Sequence, residues 1–370
     1  MPLKHTTVVV NAAHPRALRT STARITDRLQ IVVNRYSPPN PHPDGITLFF
    51  LHCTGYQKEV WEETIARVFE SDIPIREAIA YDWVGHGDSA VLNEQKLGSA
   101  ARWTDGGRDL LQVIAQLDIP QPIVAVGHSM GGSHVLSAGY MHPSLFKGLI
   151  AIEPIAHPFS LATITTQICS LLVHMPDQFP DRQSAISFLK STQARSFDPA
   201  VLNRLIECSF YDTKSKSGEP VVKLKSCAAQ QVAIYQDSPD SLEELVQRLP
   251  FIESPTLLVH GENAKWNDET TPARLSELIK TSTTQWIPGG RHMVPLEMPG
   301  IVASIITVFL TRVWEKWATE LRADKQKTDA QIAQEVEDGV AHGIHLMDTT
   351  AEVSRQIHAA KRKQKKASKL

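Results

Sequence analysis

Cysteine is scarce in this sequence, and its spacing excludes two kinds of structural support. The 370-residue chain has four cysteines, none of which form the C-x-x-C pairs of common zinc sites. They are Cys53, Cys169, Cys208 and Cys227. Their scatter argues against a disulfide framework and fits a reducing compartment. We therefore expect a core stabilised by apolar burial, for which a hydrophobic content of 42% is ordinary.

Long apolar runs are also missing. The N-terminus lacks the continuous apolar core of a signal peptide. Near the C-terminus the longest apolar stretch, residues 301–310, contains Ser304 and Thr307 and is too short to span a bilayer. We therefore expect no transmembrane segment.

Charge of one sign is not in excess, and several ligand-binding motifs are missing. The formal net charge is -2, so no global field favours nucleic acid as a partner, although the last ten residues are strongly basic. The sequence has no cluster with metal-ligand spacing and no phosphate loop of the G-x-x-x-x-G-K-S/T type. We therefore expect no nucleic acid partner, no metal and no cofactor.

Short apolar stretches alternate with helical spacing along most of the chain. This alternation predicts a parallel sheet with helices on both faces, preceded by two strands at 7–10 and 29–36 that form an antiparallel start. The remaining predicted strands are 46–51, 77–81, 123–126, 148–152, 255–260 and 283–287.

The alternation is interrupted once, which predicts the domain organisation. Residues 156–250 are mostly helical in spacing and are interpreted as an inserted cap. The core would then comprise residues 1–155 and 251–322, and a long helix at 300–321 would close it. Residues 323–370 would form a charged C-terminal extension.

Ser129 lies in the most informative motif. The apolar strand 123–126 leads directly into G-H-S-M-G, which matches the G-x-S-x-G nucleophile elbow. The serine of such an elbow sits on a sharp turn between strand and helix, so Gly127 and Gly131 must be small. The following helix directs its N-terminus at the serine, where the helix dipole favours developing negative charge. Ser129 is therefore the candidate nucleophile.

Three further turns follow predicted strands and complete a recognisable order. They are H-C-T-G at 52–55, G-H-G-D-S at 85–89 and G-G-R-H-M at 289–293. Together with the elbow, they resemble the α/β-hydrolase superfamily over roughly residues 25–322. The resemblance implies a mostly parallel twisted sheet with helices on both faces and an inserted helical cap. It also implies hydrolysis of an ester or thioester through an acyl-enzyme.

The resemblance implies partners for Ser129. His292 follows the last strand, where the family carries its catalytic histidine, and it can accept and return the serine proton. Many members carry the acid as G-x-x-D, but here the stretch 261–264 ends in alanine. Three carboxylates remain as candidates, namely Glu153, Glu262 and Asp268. We favour Glu153, because it directly follows a buried strand at the carboxyl edge of the sheet.

The family also places two backbone amides around the oxyanion of the tetrahedral intermediate. By position these belong to Met130, after the nucleophile, and to Thr54 in H-C-T-G. Cys53 has no elbow context, so we expect a small buried residue rather than a nucleophile. Structural roles are expected for His52, His86 and His128.

Two segments resemble a narrower group. The run at 52–61, H-C-T-G-Y-Q-K-E-V-W, and the terminal Ser368-Lys369-Leu370 look like fungal peroxisomal hydrolases of the AK-toxin biosynthesis type. This resemblance implies a fatty-acyl-like or polyketide-like small-molecule substrate. The tripeptide is an address read by the peroxisomal import receptor, so we expect a peroxisomal matrix protein. The basic residues of 361–366 should repel one another and keep the tail extended.

Two other functions compete with a serine hydrolase. Epoxide hydrolases and dehalogenases of this fold place aspartate at the elbow, and Ser129 argues against both. A non-catalytic binding or scaffold protein is an alternative of another class, but such proteins often lose the nucleophile or the histidine.

Overall fold

A central eight-stranded sheet organises the first part of the protein. The computed structural model describes residues 3–156, 166–236, 238–266 and 270–367, which divide into two compact units, 1–314 and 315–370. The strands of the sheet are β1 (His5–Asn11), β2 (Gln30–Tyr36), β3 (Ile46–Leu51), β4 (Ile75–Tyr81), β5 (Ile123–His128), β6 (Gly148–Ile152), β10 (Thr256–Gly261) and β11 (Ser282–Ile287).

The order of the strands is β1-β2-β4-β3-β5-β6-β10-β11. The pairs β1–β2 and β2–β4 are antiparallel, and from β4 to β11 every neighbouring pair is parallel. The predicted parallel sheet with an antiparallel start is therefore confirmed. Strands β3, β5, β6 and β10 are buried along their whole length, which explains their mostly apolar sequences.

Helices cover both faces of this sheet. Alternate strand residues enter two separate apolar clusters, for example Phe49 and Ala125 in one, and Phe50 and Val126 in the other. The helices outside the insertion are α1 (Glu62–Phe69), α2 (Gly87–Asn93), α3 (Trp103–Gln116), α4 (Met130–Met141), α9 (Thr271–Leu278), α10 (Val294–Glu297) and α11 (Pro299–Lys325). Because the central strands are parallel, their carboxyl ends meet at one edge of the sheet.

The insertion between β6 and β10 contains more than the predicted helices. Besides the helical residues 166–172, its helices are α5 (Arg182–Ser191), α6 (Pro199–Cys208), α7 (Ala228–Gln236) and α8 (Ser238–Arg248). A second sheet is also present, with β9 (Pro220–Leu224) between β7 (Gln178–Phe179) and β8 (Phe210–Lys214). Periodicity did not indicate these strands because they have two to five residues and are partly exposed. The cap boundaries at 156 and 250 stay predictions.

The second unit contains the last residues of α11 and the long helix α12 (Asp329–Ala367). The expectation that residues 361–366 are extended is wrong, because they belong to this helix up to Ala367. Lysine, arginine, glutamine and alanine all favour helix, which outweighs like-charge repulsion of a few tenths of a kcal/mol per pair. The predicted signal Ser368–Leu370 lies outside the described residues. Within the described ranges, no helix is long and apolar enough to cross a membrane.

Candidate active site

Ser129 occupies a strained turn between β5 and α4. Its φ is 55° and its ψ is -116°, an uncommon conformation for a residue with a side chain. A Cβ atom built on Gly127 would lie 2.1 Å from the Gly131 carbonyl oxygen, and one on Gly131 would lie 2.3 Å from the Leu51 carbonyl oxygen. The two glycines therefore permit the close approach of strand and helix that the turn requires.

His292 lies beside this serine, in the turn after β11. The Ser129 hydroxyl donates to His292 Nε2 over 3.0 Å. Two neighbouring side chains restrain His292, one through its backbone and one through its ring. His128 Nε2–H donates to the His292 carbonyl oxygen over 2.7 Å, and Trp266 stacks on the imidazole with ring centroids 4.7 Å apart. The imidazole is thereby held with one nitrogen directed at the serine hydroxyl.

The carboxylate next to His292 is that of Glu153. His292 Nδ1 and Glu153 Oε2 are 3.2 Å apart, and the Gly261 amide donates to Glu153 Oε1 over 2.8 Å. His260 Nδ1 lies 3.6 Å from Oε1. Like Ser129, Glu153 has a positive φ, of 48°. This turn of the backbone follows β6 directly, at the edge of the sheet where β5 also ends.

The pKa of Glu153 reflects these contacts. Burial alone would raise the pKa of this carboxyl, because it disfavours the charged form. The rings of His260 and His292 and the Gly261 amide outweigh burial and lower the pKa to about 2. Glu153 is therefore ionised at neutral pH and can fix the His292 tautomer that has its proton on Nδ1.

The other two candidate acids are not part of this contact chain. Glu262 is exposed, and its Oε2 accepts a hydrogen bond from the Gly289 amide over 3.1 Å. Asp268 lies outside the described residues. The stretch 261–264 forms a tight turn in which the Ala264 amide donates to the Gly261 carbonyl oxygen over 3.1 Å.

Thr54 and Met130 meet beside the nucleophile. The Thr54 hydroxyl donates to Met130 Sδ over 3.5 Å. Among the described residues, no protein group accepts a hydrogen bond from either backbone amide. The adjacent Gly55 has φ +86°, which turns the backbone away from β3. This arrangement leaves two amide donors available near Ser129.

The insertion reaches the same turn. The Tyr235 phenol, on α7, hydrogen-bonds the Thr54 side chain. From the residues after α6, the Ser209 hydroxyl accepts from Gln57 Nε2 over 2.9 Å. Ser226 receives a hydrogen bond from the Gly87 amide over 3.0 Å. The insertion is thus joined by polar contacts to the turns that follow β3 and β4.

A buried lysine connects those two turns. Lys58 Nζ lies 2.8 Å from Asp82 Oδ2, 2.8 Å from Glu59 Oε1 and 2.7 Å from Asp88 Oδ2. Burial would lower the pKa of Lys58, but the three carboxylates raise it above its usual value. Its backbone amide also donates to Asp82 Oδ1 over 2.8 Å. Lys58 therefore stays charged and fixes the segment directly after the Thr54 turn.

The contacts of His52 and Cys53 fit structural roles for both residues. His52 Nδ1–H donates to the Cys53 carbonyl oxygen over 2.9 Å, and Nε2 accepts from the Trp83 amide over 3.1 Å. Cys53 is buried, and burial raises the pKa of its thiol. Neither ring nitrogen of His86 has a hydrogen-bond partner among the described residues. The described residues contain no group of three or more metal-binding side chains that could hold an ion.

Sequence reasoning did not identify His260, Trp266 or Lys58 as parts of this region. His260 is the last side chain of β10 at the carboxyl edge, the criterion that favoured Glu153, so the signal was available. Trp266 lies in a loop and Lys58 begins the short 3-10 helix Lys58–Trp61, and neither segment is long enough for periodicity to indicate which side chain turns inward.

Comparison with known proteins identifies the family of the chain. The model of the α/β hydrolase family matches residues 48–305. The chain is 29% identical to peroxisomal membrane protein LPX1 of Saccharomyces cerevisiae over 81% of this chain and 84% of that protein. The solved structure of this yeast protein, described as a peroxisomal α/β-hydrolase, superposes with a TM-score of 0.75 and 25% identity, covering 92% of this chain and 97% of that one.

Two other fungal proteins are similar over shorter stretches. The type I acyl-CoA thioesterase mpaH of Penicillium brevicompactum is 31% identical over 55% of this chain and 49% of its own length. The abhydrolase domain-containing protein AFT2-1 of Alternaria alternata is 33% identical over 25% of this chain and 36% of its own. With the family model covering most of the chain, this protein belongs to the α/β hydrolase family and is a hydrolase of the esterase and lipase kind.

Proposed function

We propose that the protein is a serine hydrolase that cleaves an ester or thioester of a fatty-acyl-like or polyketide-like substrate. The observation that supports it best is the continuous contact from Ser129 Oγ through the His292 ring to the Glu153 carboxylate. All three residues are buried, with His292 at 6% exposure, so solvent screens their interactions weakly.

The proposed reaction has two halves. Ser129 Oγ attacks the acyl carbonyl carbon while its proton moves to His292 Nε2, and the oxyanion accepts hydrogen bonds from the Thr54 and Met130 amides. The carbon–oxygen or carbon–sulfur bond then breaks, and His292 returns the proton to the leaving alcohol or thiol. Water then attacks the acyl-enzyme while His292 takes its proton, and His292 gives that proton to Ser129 Oγ as the bond to the acyl group breaks and the acid leaves.

The names of the relatives support the substrate class. MpaH is an acyl-CoA thioesterase, and AFT2-1 and mpaH both come from fungi. Ester and thioester substrates share the acyl chemistry and differ only in the leaving group. The proposed role is therefore a step in fungal acyl or secondary metabolism, with the insertion covering the acyl chain beside Tyr235.

Labelling with a fluorophosphonate probe tests the mechanism. The wild-type protein should be labelled, because the probe forms a covalent bond only with an activated serine. Ser129→Ala should abolish labelling and lower kcat by about 10³-fold or more. Ser137→Ala, on the same helix, is the matched control and should retain both.

Turnover of acyl-CoA esters against p-nitrophenyl esters of short and medium chain length would then separate thioester from ester. Folded wild-type protein that is neither labelled nor active on either series would favour the alternative, a non-catalytic ligand-binding protein on this fold.

We also propose a peroxisomal location. It is supported by the similarity to the yeast protein named as peroxisomal, and recognition by the peroxisomal import receptor is the route we expect. A fusion with a fluorescent protein at the N-terminus should give puncta that coincide with a peroxisomal marker, and carbonate extraction should release a matrix protein. Deletion of Leu370 in this fusion tests whether the C-terminal tripeptide is the import signal. A diffuse or nuclear signal from the intact fusion would contradict the location.

A further inference from the structure

Helix α12 carries an exposed apolar stripe. The side chains of Ile332, Val336, Leu346, Val353 and Ile357 are between 40% and 62% exposed. Together with Gly339, Gly343 and Thr350, their positions are separated by alternating steps of four and three residues from 332 to 357. This is the spacing of the a and d positions of a coiled coil, sustained over more than three heptads.

Two glycines interrupt the stripe, and no close contact with the rest of the described chain requires glycine at either position. A Cβ atom built on Gly339 or Gly343 would meet no atom within 4 Å. Glycine disfavours a helix interior because it loses more conformational freedom than alanine on folding. A second helix lying close along the stripe would use both positions, since glycine leaves room for a large opposing side chain.

The charges of the helix are divided between its two halves. Residues 329–348 contain five acidic residues and no lysine or arginine, whereas residues 349–367 contain six lysines or arginines and one acidic residue. Two parallel copies would place like charges side by side. Two antiparallel copies would place each acidic half beside a basic half.

We propose that α12 pairs antiparallel with α12 of a second copy of this chain, with the two helices level at Asp348. In this register an a position of one helix faces a d position of the other throughout the stripe. Gly339 then faces Ile357, and Gly343 faces Val353, so each glycine meets a large β-branched side chain. Leu346 faces Thr350 on either side of the centre. Heptad spacing alone permits several registers, and this one is selected by charge and by the β-branched side chain that faces each glycine.

An anionic membrane fits the helix less well than a second copy does. The basic half would be attracted to acidic lipid headgroups, but the acidic half lies on the same helix and would be repelled. The pairing with a second copy satisfies both halves.

Molecular mass in solution tests the pairing. The full-length protein should be a dimer by light scattering after size exclusion. Leu346→Glu, at the centre of the stripe, should give a monomer with unchanged esterase activity and helix content. Ala341→Glu adds the same charge on the opposite face and should remain a dimer.

Cross-linking tests the orientation. In a background with Cys169, Cys208 and Cys227 replaced by serine, Met347→Cys should be cross-linked between copies by a short bismaleimide. Ile357→Cys should not, because the two copies of residue 357 would lie about 27 Å apart along the helices.

Three results would overturn the proposal. A monomeric wild-type protein would exclude the pairing, and its binding to anionic lipid vesicles would show that the stripe serves a membrane. A dimer that persists in Leu346→Glu would place the contact elsewhere. Efficient cross-linking at position 357 would show parallel helices.

Discussion

Glu153 illustrates how a backbone conformation can direct a carboxylate towards a histidine ring. In the stretch 261–264, an alanine stands where many relatives of this fold carry the acid. The positive φ of Glu153 turns its side chain from the end of β6 towards the His292 ring. A carboxylate from a neighbouring strand thus reaches the imidazole nitrogen on the side opposite Ser129.

We expect Glu153→Gln to lower kcat by about 10³-fold or more with little change in KM. The amide keeps the volume but removes the charge that stabilises the protonated imidazole in the transition state, an effect of this size in serine hydrolase triads. Steady-state kinetics on a p-nitrophenyl ester would measure it. The change should leave the Gly261 hydrogen bond in place.

Glu262→Gln is the matched control for this variant. Within the described part of the chain, the one hydrogen bond of its carboxylate is with the Gly289 amide at the surface, so kcat of this variant should stay within twofold of the wild type. Strong loss of activity in Glu262→Gln, with near-normal activity in Glu153→Gln, would reverse the assignment of the acid.

The residues of the site differed in how far the sequence could predict them. Ser129 and His292 were predictable as candidates because local glycine patterns accompany them. Glu153 could be favoured only by its place after a strand, since its contact spans 139 positions of the chain. Trp266 was not predictable, because its stacking on His292 depends on the path of an irregular loop.

Among the elements, the buried strands were the most predictable. Strands such as β3 and β5 are apolar at most positions because both faces are covered, so composition alone marks them. The edge strand β11 has only Ile287 fully buried, yet its own strand character at 283–287 was enough to predict it.

The small sheet of the insertion and the helical C-terminus were not predictable in the same way. Strand β8 gains its stability from pairing with β9 and from Phe210, the one residue of the strand that is buried. Tertiary contact therefore decided its structure, not its own pattern. In α12 the local helix preference of lysine and arginine was underestimated relative to their mutual repulsion.

The elements around the site are connected through charge as well as apolar packing. Lys58 follows the turn of Thr54, and Asp82 follows β4, so their contact joins two turns that are distant in sequence. Lys225, in the insertion, also contacts Asp88. A buried pair of this kind is a weak source of stability but a strict constraint on geometry. We infer that it holds the Thr54 amide in place.

At the scale of the whole molecule, four buried histidines make folding sensitive to acid. Burial lowers the pKa of His52, His86, His128 and His134, and for the last two to about 3. In the unfolded chain a histidine has a pKa of about 6.5. Their contribution to stability is therefore complete above pH 6.5 and is lost as the pH falls from 6.5 towards the folded pKa.

Two buried carboxyls oppose this effect. Burial raises the pKa of Asp109 and of Glu59, so the folded protein takes up these protons before the unfolded chain does. A single-histidine variant isolates the histidine contribution from theirs. His134 is suited to it, because its ring packs against Trp83 with centroids 4.6 Å apart and phenylalanine would keep that contact.

We expect the free energy of unfolding of the wild-type protein to fall between pH 7.5 and 5.5, measured by urea titration with tryptophan fluorescence. In His134→Phe the fall should be smaller by about 1.4 kcal/mol, because one group no longer has to stay neutral below its unfolded pKa. His174→Gln changes an exposed histidine and should leave the fall unchanged. If His134→Phe loses as much stability on acidification as the wild type does, protonation of His134 does not contribute to the fall in the free energy of unfolding. The acid sensitivity must then originate from other groups.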